Sequence, residues 1–176
     1  VKGGTSFFVD AFHVAETLRE NSPSSFKALA TTPVPFQYIN DGHHLYHAHP
    51  TIELDPLQED STPLIKRSIK YVNYSPPFQA PFPRSKEPDH FYASLRNFAD
   101  LLDAKENRYE YTLREGDAVI FDNRRVMHAR TAFTDIPGLE IEEGDANRWL
   151  KGCYLDDDAI LDRYRVMKAK LDNRNV

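Results

Sequence analysis

The chain has 176 residues, 40% of them hydrophobic and 28% charged, enough for one domain with a real core and too few for two comfortable ones. A net charge of −5 argues against a nucleic-acid partner or an anionic membrane surface, since neither favours an acidic protein. The single cysteine, Cys153, excludes an internal disulfide framework and fits a reducing compartment, cytoplasmic or mitochondrial.

The opening Val1-Lys2-Gly3-Gly4 carries neither Met nor a signal-peptide pattern and reads as mid-protein. Ser6–Val9 is a short apolar strand, after which Asp10 caps a helix over Ala11–Asn21. A second helix around Ser24–Ala30 ends before Thr32-Pro33. Strand signals follow at Pro35–Ile39, Leu45–His49, Ile52–Leu54 and Leu64–Asn73, punctuated by Gly42, Pro50 and Pro56. Tyr74–Pro83, rich in proline and aromatics, reads as an ordered loop across a mouth.

From Pro88 to Ala104, Phe91, Leu95, Phe98 and Leu102 fall at i, i+4, i+7 and i+11, one buried helical stripe. Strands are predicted at Tyr109–Thr112, Ala118–Phe121 and Val126–Arg130, the first two joined by a tight turn at Arg114–Asp117. Thr131–Asn147 is an acidic loop, Arg148–Leu155 a final strand, and Asp156–Asp158 open a terminal helix at the positive end of its dipole. Many short strands with few helices point to a jelly roll or distorted barrel with the helices packed outside.

Two strands carry residues capable of chemistry. On Val126–Arg130, alternation puts Val126, His128 and Arg130 on one face and Met127 and Ala129 on the other. On pattern alone, a surface strand with a solvated histidine and arginine is the ordinary reading. On the last strand Arg148, Leu150, Gly152 and Tyr154 share a face. A histidine followed by an arginine on the final strand suits 2-oxoglutarate chemistry, in which imidazole binds iron and guanidinium forks onto a carboxylate. His47-x-His49 is a rival: it puts two imidazoles on one face, as in cupin-type sites, but Pro50 follows at once and solvated histidines are the commoner case. Lys66–Lys70 reads as a solvated basic strand face.

Several segments together resemble the gamma-butyrobetaine dioxygenase and trimethyllysine dioxygenase group of the taurine-dioxygenase-like oxygenases. They are Gly3-Gly4-Thr5-Ser6, Val9-Asp10-Ala11-Phe12, Phe91-Tyr92 with Phe98, and Leu113-Arg114-Glu115-Gly116-Asp117. The two most diagnostic are Phe121-Asp122-Asn123-Arg124-Arg125-Val126-Met127-His128 and Arg148-Trp149-Leu150-Lys151-Gly152-Cys153-Tyr154. The resemblance implies a double-stranded β-helix, mainly β with outer helices and incomplete in this chain, which would be the C-terminal portion of one catalytic domain over 1–176. It also implies iron(II), with 2-oxoglutarate and O2 as cosubstrates. His128 would be the distal histidine of a two-histidine, one-carboxylate metal triad, and Arg148 would hold the C5 carboxylate of 2-oxoglutarate. Tyr154 would help cage a trimethylammonium group, and Asn73 would face the substrate.

The implied reaction is hydroxylation of gamma-butyrobetaine to L-carnitine, followed in preference by trimethyllysine hydroxylation; a non-catalytic jelly-roll fragment is the alternative from another class. The implied partner is a small-molecule substrate, with no nucleic acid or membrane and a homodimer left open. Two departures stand out. The group's Asn-Asn pair and nearby Arg are replaced by Tyr71-Val72-Asn73-Tyr74-Ser75-Pro76, and the chain contains no His-x-Asp or His-x-Glu. In the group that motif lies just before the segment matching Gly3-Gly4, so a site completed from upstream is expected.

Overall fold

The computed structural model describes residues 2–58, 61–82, 90–134 and 150–173. They fall into two compact units, Gly3–Phe133 and a smaller one of Thr134–Val176 with Val1–Lys2.

A short β1 (Lys2–Gly3) leads into the larger unit, which continues with β2 (Ser6–Asp10). Gly3 sits at φ +91°, where a Cβ would lie 2.5 Å from the Ala132 carbonyl oxygen, so both backbone and space demand glycine. Asp10 ends β2 and caps α1 (Ala11–Asn21), its carboxylate accepting from the N–H groups of Phe12 and His13 at 3.1 and 3.4 Å. Pro23 then opens α2 (Pro23–Thr31), where its missing N–H costs nothing. Ala11, Val14, Ala15 and Leu18 of α1 and Phe26 and Leu29 of α2 are buried with Phe91, Phe98 and Leu102 of α3 (Phe91–Asp103). Val9, Val34, Ile52 and Val72 complete this core from the strands.

Between α2 and α3 lie two antiparallel pairs. β3 (Pro33–Asn40) and β4 (His43–Pro50) form a hairpin whose turn residues Asp41 and Gly42 both have positive φ, 49° and 78°, the combination that matches strand twist. β5 (Ile52–Leu54) pairs with β6 (Ile69–Val72) through an irregularity at Glu53/Leu54. The single strand expected over Leu64–Asn73 is therefore shorter. Leu64–Lys66 is a 3-10 turn, because Leu64 and Ile65 pack on the helical core and Arg19 Nη1 donates to the Ile65 carbonyl at 3.2 Å. Tyr74–Phe82 packs its ends, Tyr74 and Phe82, on the core, and Pro77 and Phe78 between them border an open cavity with Gln37–Asn40. Ala80 N–H donates to the Pro35 carbonyl at 2.9 Å, and Phe82 meets Phe91 edge to face at 5.1 Å.

β7 (Arg108–Tyr111) and β8 (Val126–Arg130) flank β2 in an antiparallel sheet of order β7-β2-β8, and β9 (Phe133–Thr134) follows. Phe8 pairs with Tyr109 on one side and His128 on the other, and Val9 pairs with Met127. Val9 and Met127 face the helical core. Alternation turns Phe8, Tyr109, Tyr111, Val126, His128 and Arg130 to the opposite face.

Two expected strands are missing. The turn at Arg114–Asp117 forms, with Asp117 N–H donating to the Arg114 carbonyl at 3.1 Å, but Ala118–Phe121 after it belongs to no strand. In the smaller unit Leu150–Leu155 is likewise not a strand, and Arg148 and Trp149 lie outside the described residues, as does most of the acidic loop. A strand exists only by pairing, and neither segment has a ladder partner among the described residues. α4 (Asp157–Asp172) follows with Asp157 and Asp158 in its first turn, as the dipole favours. The expected jelly roll does not close among the described residues, whose sheets hold two or three strands. No described helix is long and apolar enough to cross a membrane.

Phe98 is fully buried in α3, whereas Tyr92 on the same helix is half exposed. Phe98→Ala should cost about 3–5 kcal/mol in denaturant unfolding, and Tyr92→Ala well under half as much. Equal losses would mean that the α3 stripe is not the core contact.

Candidate functional site

The face of the β7-β2-β8 sheet turned away from the helices gathers the aromatic residues. The His128 imidazole lies 4.9 Å from the Phe121 ring, centre to centre, and Phe121 meets Phe8 edge to face at 5.6 Å. Tyr109 and Tyr111 stack nearly parallel at 6.5 Å. Phe8, Tyr109, Tyr111, Ile120, Phe121 and Val126 border an open cavity of about 530 Å³, with Asp117 at its edge. The Asp117 carboxyl is held below its usual range by the Arg114 N–H at 2.8 Å and the Tyr111 hydroxyl at 2.9 Å. That same bond pushes the Tyr111 hydroxyl up.

His128 hangs three residues beyond a turn that is tied on all sides. The Asp122 carbonyl accepts from the N–H groups of Arg125 and Val126 at 3.1 and 2.8 Å, and its carboxylate accepts from Arg124 N–H at 2.8 Å. Arg125 forks onto Asp10, Nε to Oδ1 at 3.1 Å and Nη2 to Oδ2 at 2.7 Å. This guanidinium is the main cause that lowers the Asp10 carboxyl below its ordinary value. Ala11 N–H donates to the Arg125 carbonyl at 3.0 Å, and Val72 N–H to that of Arg124 at 2.9 Å. The Arg124 guanidinium lies over Tyr71 at 4.3 Å, with Glu53 at 4.0 Å.

Of the residues expected at the site, His128 stands on the open face as alternation requires. An imidazole there is a donor suited to iron and other first-row metals. Among the described residues nothing hydrogen-bonds to it, and aromatic rings back it. Asn73 is tied into its own fold: its side-chain amide donates to the Pro50 carbonyl at 2.9 Å and to Glu53 Oε2 at 3.3 Å. Arg148 lies outside the described residues. Tyr154, in the smaller unit, is 88% exposed on an irregular segment, so the strand expected to carry both does not run through it.

The rival pair, His47 and His49, has its rings edge to face at 4.2 Å, and the His49 imidazole is shifted down by burial and by its cationic neighbours. Among the described residues, however, no group of three or more His, Cys, Asp or Glu is placed to hold a metal. On the basic stretch, the Lys70 ammonium sits 5.1 Å from the Tyr71 ring centre. Sequence reasoning missed Phe8, Tyr109 and Phe121 as neighbours of His128. Strand register sets Phe8 between Tyr109 and His128, and ring contacts bring Phe121 to Phe8 and His128.

The family model described as "Taurine catabolism dioxygenase TauD, TfdA family" matches residues 1–154. The chain is 51% identical over 168 residues to "Dioxygenase str8" of Strobilurus tenacellus, covering 96% of this chain and 37% of that protein. It is 32% identical over 178 residues to gamma-butyrobetaine dioxygenase of Homo sapiens, covering 99% of this chain and 42% of that one. With the mitochondrial trimethyllysine dioxygenase of Homo sapiens it shares 27% over 169 residues, 94% of this chain and 36% of the relative. The chain thus spans about two fifths of the length of these curated relatives. A histidine on the open face of β8, aromatic residues around it and a family match over most of the sequence lead to one conclusion: the chain belongs to the TauD/TfdA family of dioxygenases.

Proposed function

We propose that this chain supplies the distal-histidine part of an iron(II)- and 2-oxoglutarate-dependent dioxygenase that hydroxylates a small molecule, and that His128 is a metal ligand. The observation that carries the reading is the register of β2 and β8, which sets His128 opposite Phe8 and on the sheet face away from the core. When bound, iron(II) with 2-oxoglutarate and O2 supplies the oxidant for a C–H bond, with succinate and CO2 as co-products. The protein's part is to orient and to exclude water. His128 would offer one nitrogen donor beside the Phe121 and Phe8 rings, and by the resemblance Arg148 would hold the far carboxylate of the cosubstrate.

For the substrate, a trimethylammonium compound such as gamma-butyrobetaine is one reading, with trimethyllysine behind it. It rests on Tyr154, on Asn73 and on the names of two relatives. A second reading, a different small molecule, is favoured by the higher identity to "Dioxygenase str8" and by the loss of the Asn-Asn and Arg pattern around Asn73.

In the intact protein that carries this chain, His128→Ala should abolish turnover and sharply reduce iron retained after gel filtration. Full activity in that variant would refute the assignment. Arg148→Ala should raise the 2-oxoglutarate requirement by the equivalent of about 2–5 kcal/mol and leave the substrate requirement nearly unchanged. Arg148→Lys should rescue only part, because an ammonium cannot fork. The two substrate readings separate on a neutral isostere with tert-butyl in place of trimethylammonium. A cation–π cage should bind it worse by about 0.5–2 kcal/mol, and equal binding of the two compounds sinks the betaine reading.

A further inference from the structure

We propose that Arg125 is a positioning residue for His128, acting through Asp10; the proposal rests on the reading of His128 as a metal ligand. Arg125 precedes His128 by three residues, roughly 10 Å along the chain, too far to share its ligand. What it controls is which residue of β8 faces which residue of β2.

The β2–β8 ladder is short, five residue pairs from Ser6↔Arg130 to Asp10↔Val126. Backbone hydrogen bonds do not recognise register, and burial of Val9 and Met127 opposes a slip of one residue but keeps the same face in a slip of two. A slip of one residue would turn Met127 to the site and His128 to the core. A slip of two would keep the imidazole on the correct face but move it by roughly 7 Å. Side-chain clasps at the two ends distinguish these alternatives.

At one end Thr5 and Thr131 exchange neutral bonds, Thr5 N–H to Thr131 Oγ1 at 3.0 Å and Thr131 N–H to the Thr5 carbonyl at 2.9 Å. At the other, the Arg125 fork meets both oxygens of Asp10, while Ala11 N–H holds the Arg125 carbonyl. The ionic clasp is the more selective, because a planar fork fits a carboxylate in one orientation. Its side chains are 51% and 41% exposed, so solvent screens the pair and its worth to stability is small. Geometry is therefore its main contribution. Arg125 also lies against Phe12, 5.3 Å from the ring centre, which limits its swing.

The test uses the intact protein that carries this chain. Metal-free protein is examined by amide hydrogen exchange, and iron(II) affinity is measured by titration at a temperature where circular dichroism shows each variant fully folded. Arg125→Met should speed exchange across Val126–Arg130 at least tenfold while α3 stays protected, and should weaken iron(II) binding at least tenfold. Arg125→Lys, which keeps the charge without the fork, should recover part of both. Should Arg125→Met not fold, Asp10→Asn serves, since asparagine still caps α1 but offers the fork a neutral partner; its expected loss is smaller and in the same direction.

A folded Arg125→Met or Asp10→Asn with wild-type exchange in β8 and wild-type iron affinity overturns the proposal. Failure of the underlying reading looks different. If His128→Ala keeps the iron affinity of the wild type, His128 is no ligand; if His128→Ala loses iron while the Arg125 variants keep it, only the positioning role falls.

Discussion

A strand has two faces, and β2 uses one for each half of what this fold does. Val9 points into the helical core with Ala11, Val14, Phe91 and Phe98 beyond it. Phe8, one residue earlier, points the other way and lies between Tyr109 and His128. Because side chains alternate strictly along an extended chain, burying Val9 obliges Phe8 and its cross-strand partners to form the open face. The core thus dictates the side on which the imidazole stands. The charge on Asp10, immediately after Val9, then joins strand, helix cap and the start of β8 in one carboxylate. Few residues link packing to site so directly.

The face so produced is unusually apolar for something left open. Ile120 is 93% exposed, and Tyr109 and Val119 are also exposed. Ala118–Phe121 and Leu150–Leu155 have the composition of strands without the pairing. Composition reports what a segment prefers when a partner edge is beside it, and a ladder needs both members. Among the described residues these segments therefore stay irregular.

That difference explains what the sequence made legible. Local signals were sufficient where the determinant lies within a few residues: the Asp10 cap and α1, the Phe91–Leu102 stripe of α3, and β8 with His128 on the face opposite Met127. They failed where the determinant is distant. Leu64–Lys66 has strand-like residues, yet Arg19, far earlier in the chain, holds the Ile65 carbonyl and the segment curls onto the core. The Asp10–Arg125 fork spans 115 positions, and nothing near either residue announces the other. Phe8 and Phe121 come to His128 from separate stretches of chain, one through strand register and the other through ring packing. Arg148 and Tyr154 were read from resemblance rather than from any local rule. Arg148 lies outside the described residues, and the backbone around Tyr154 is irregular.

The departure at Asn73-Tyr74 shows how the core also bears on specificity. These two residues follow β6, where Val72 is buried against the helices. Tyr74 continues inward: its ring meets Phe98 edge to face at 5.9 Å, and burial pushes its hydroxyl above the ordinary tyrosine value. Within the stretch that stands in place of the related group's Asn-Asn pair and Arg, Tyr74 is therefore a packing residue. Asn73 keeps its amide, but that amide is engaged with Pro50 and Glu53, and Glu53 lies beside Arg124, which rests on Tyr71. Polar capacity that a pair of asparagines would turn toward a ligand is divided here, one position serving the core and the other largely serving its own loop. A substrate recognised mainly through paired amides would find fewer partners at this position.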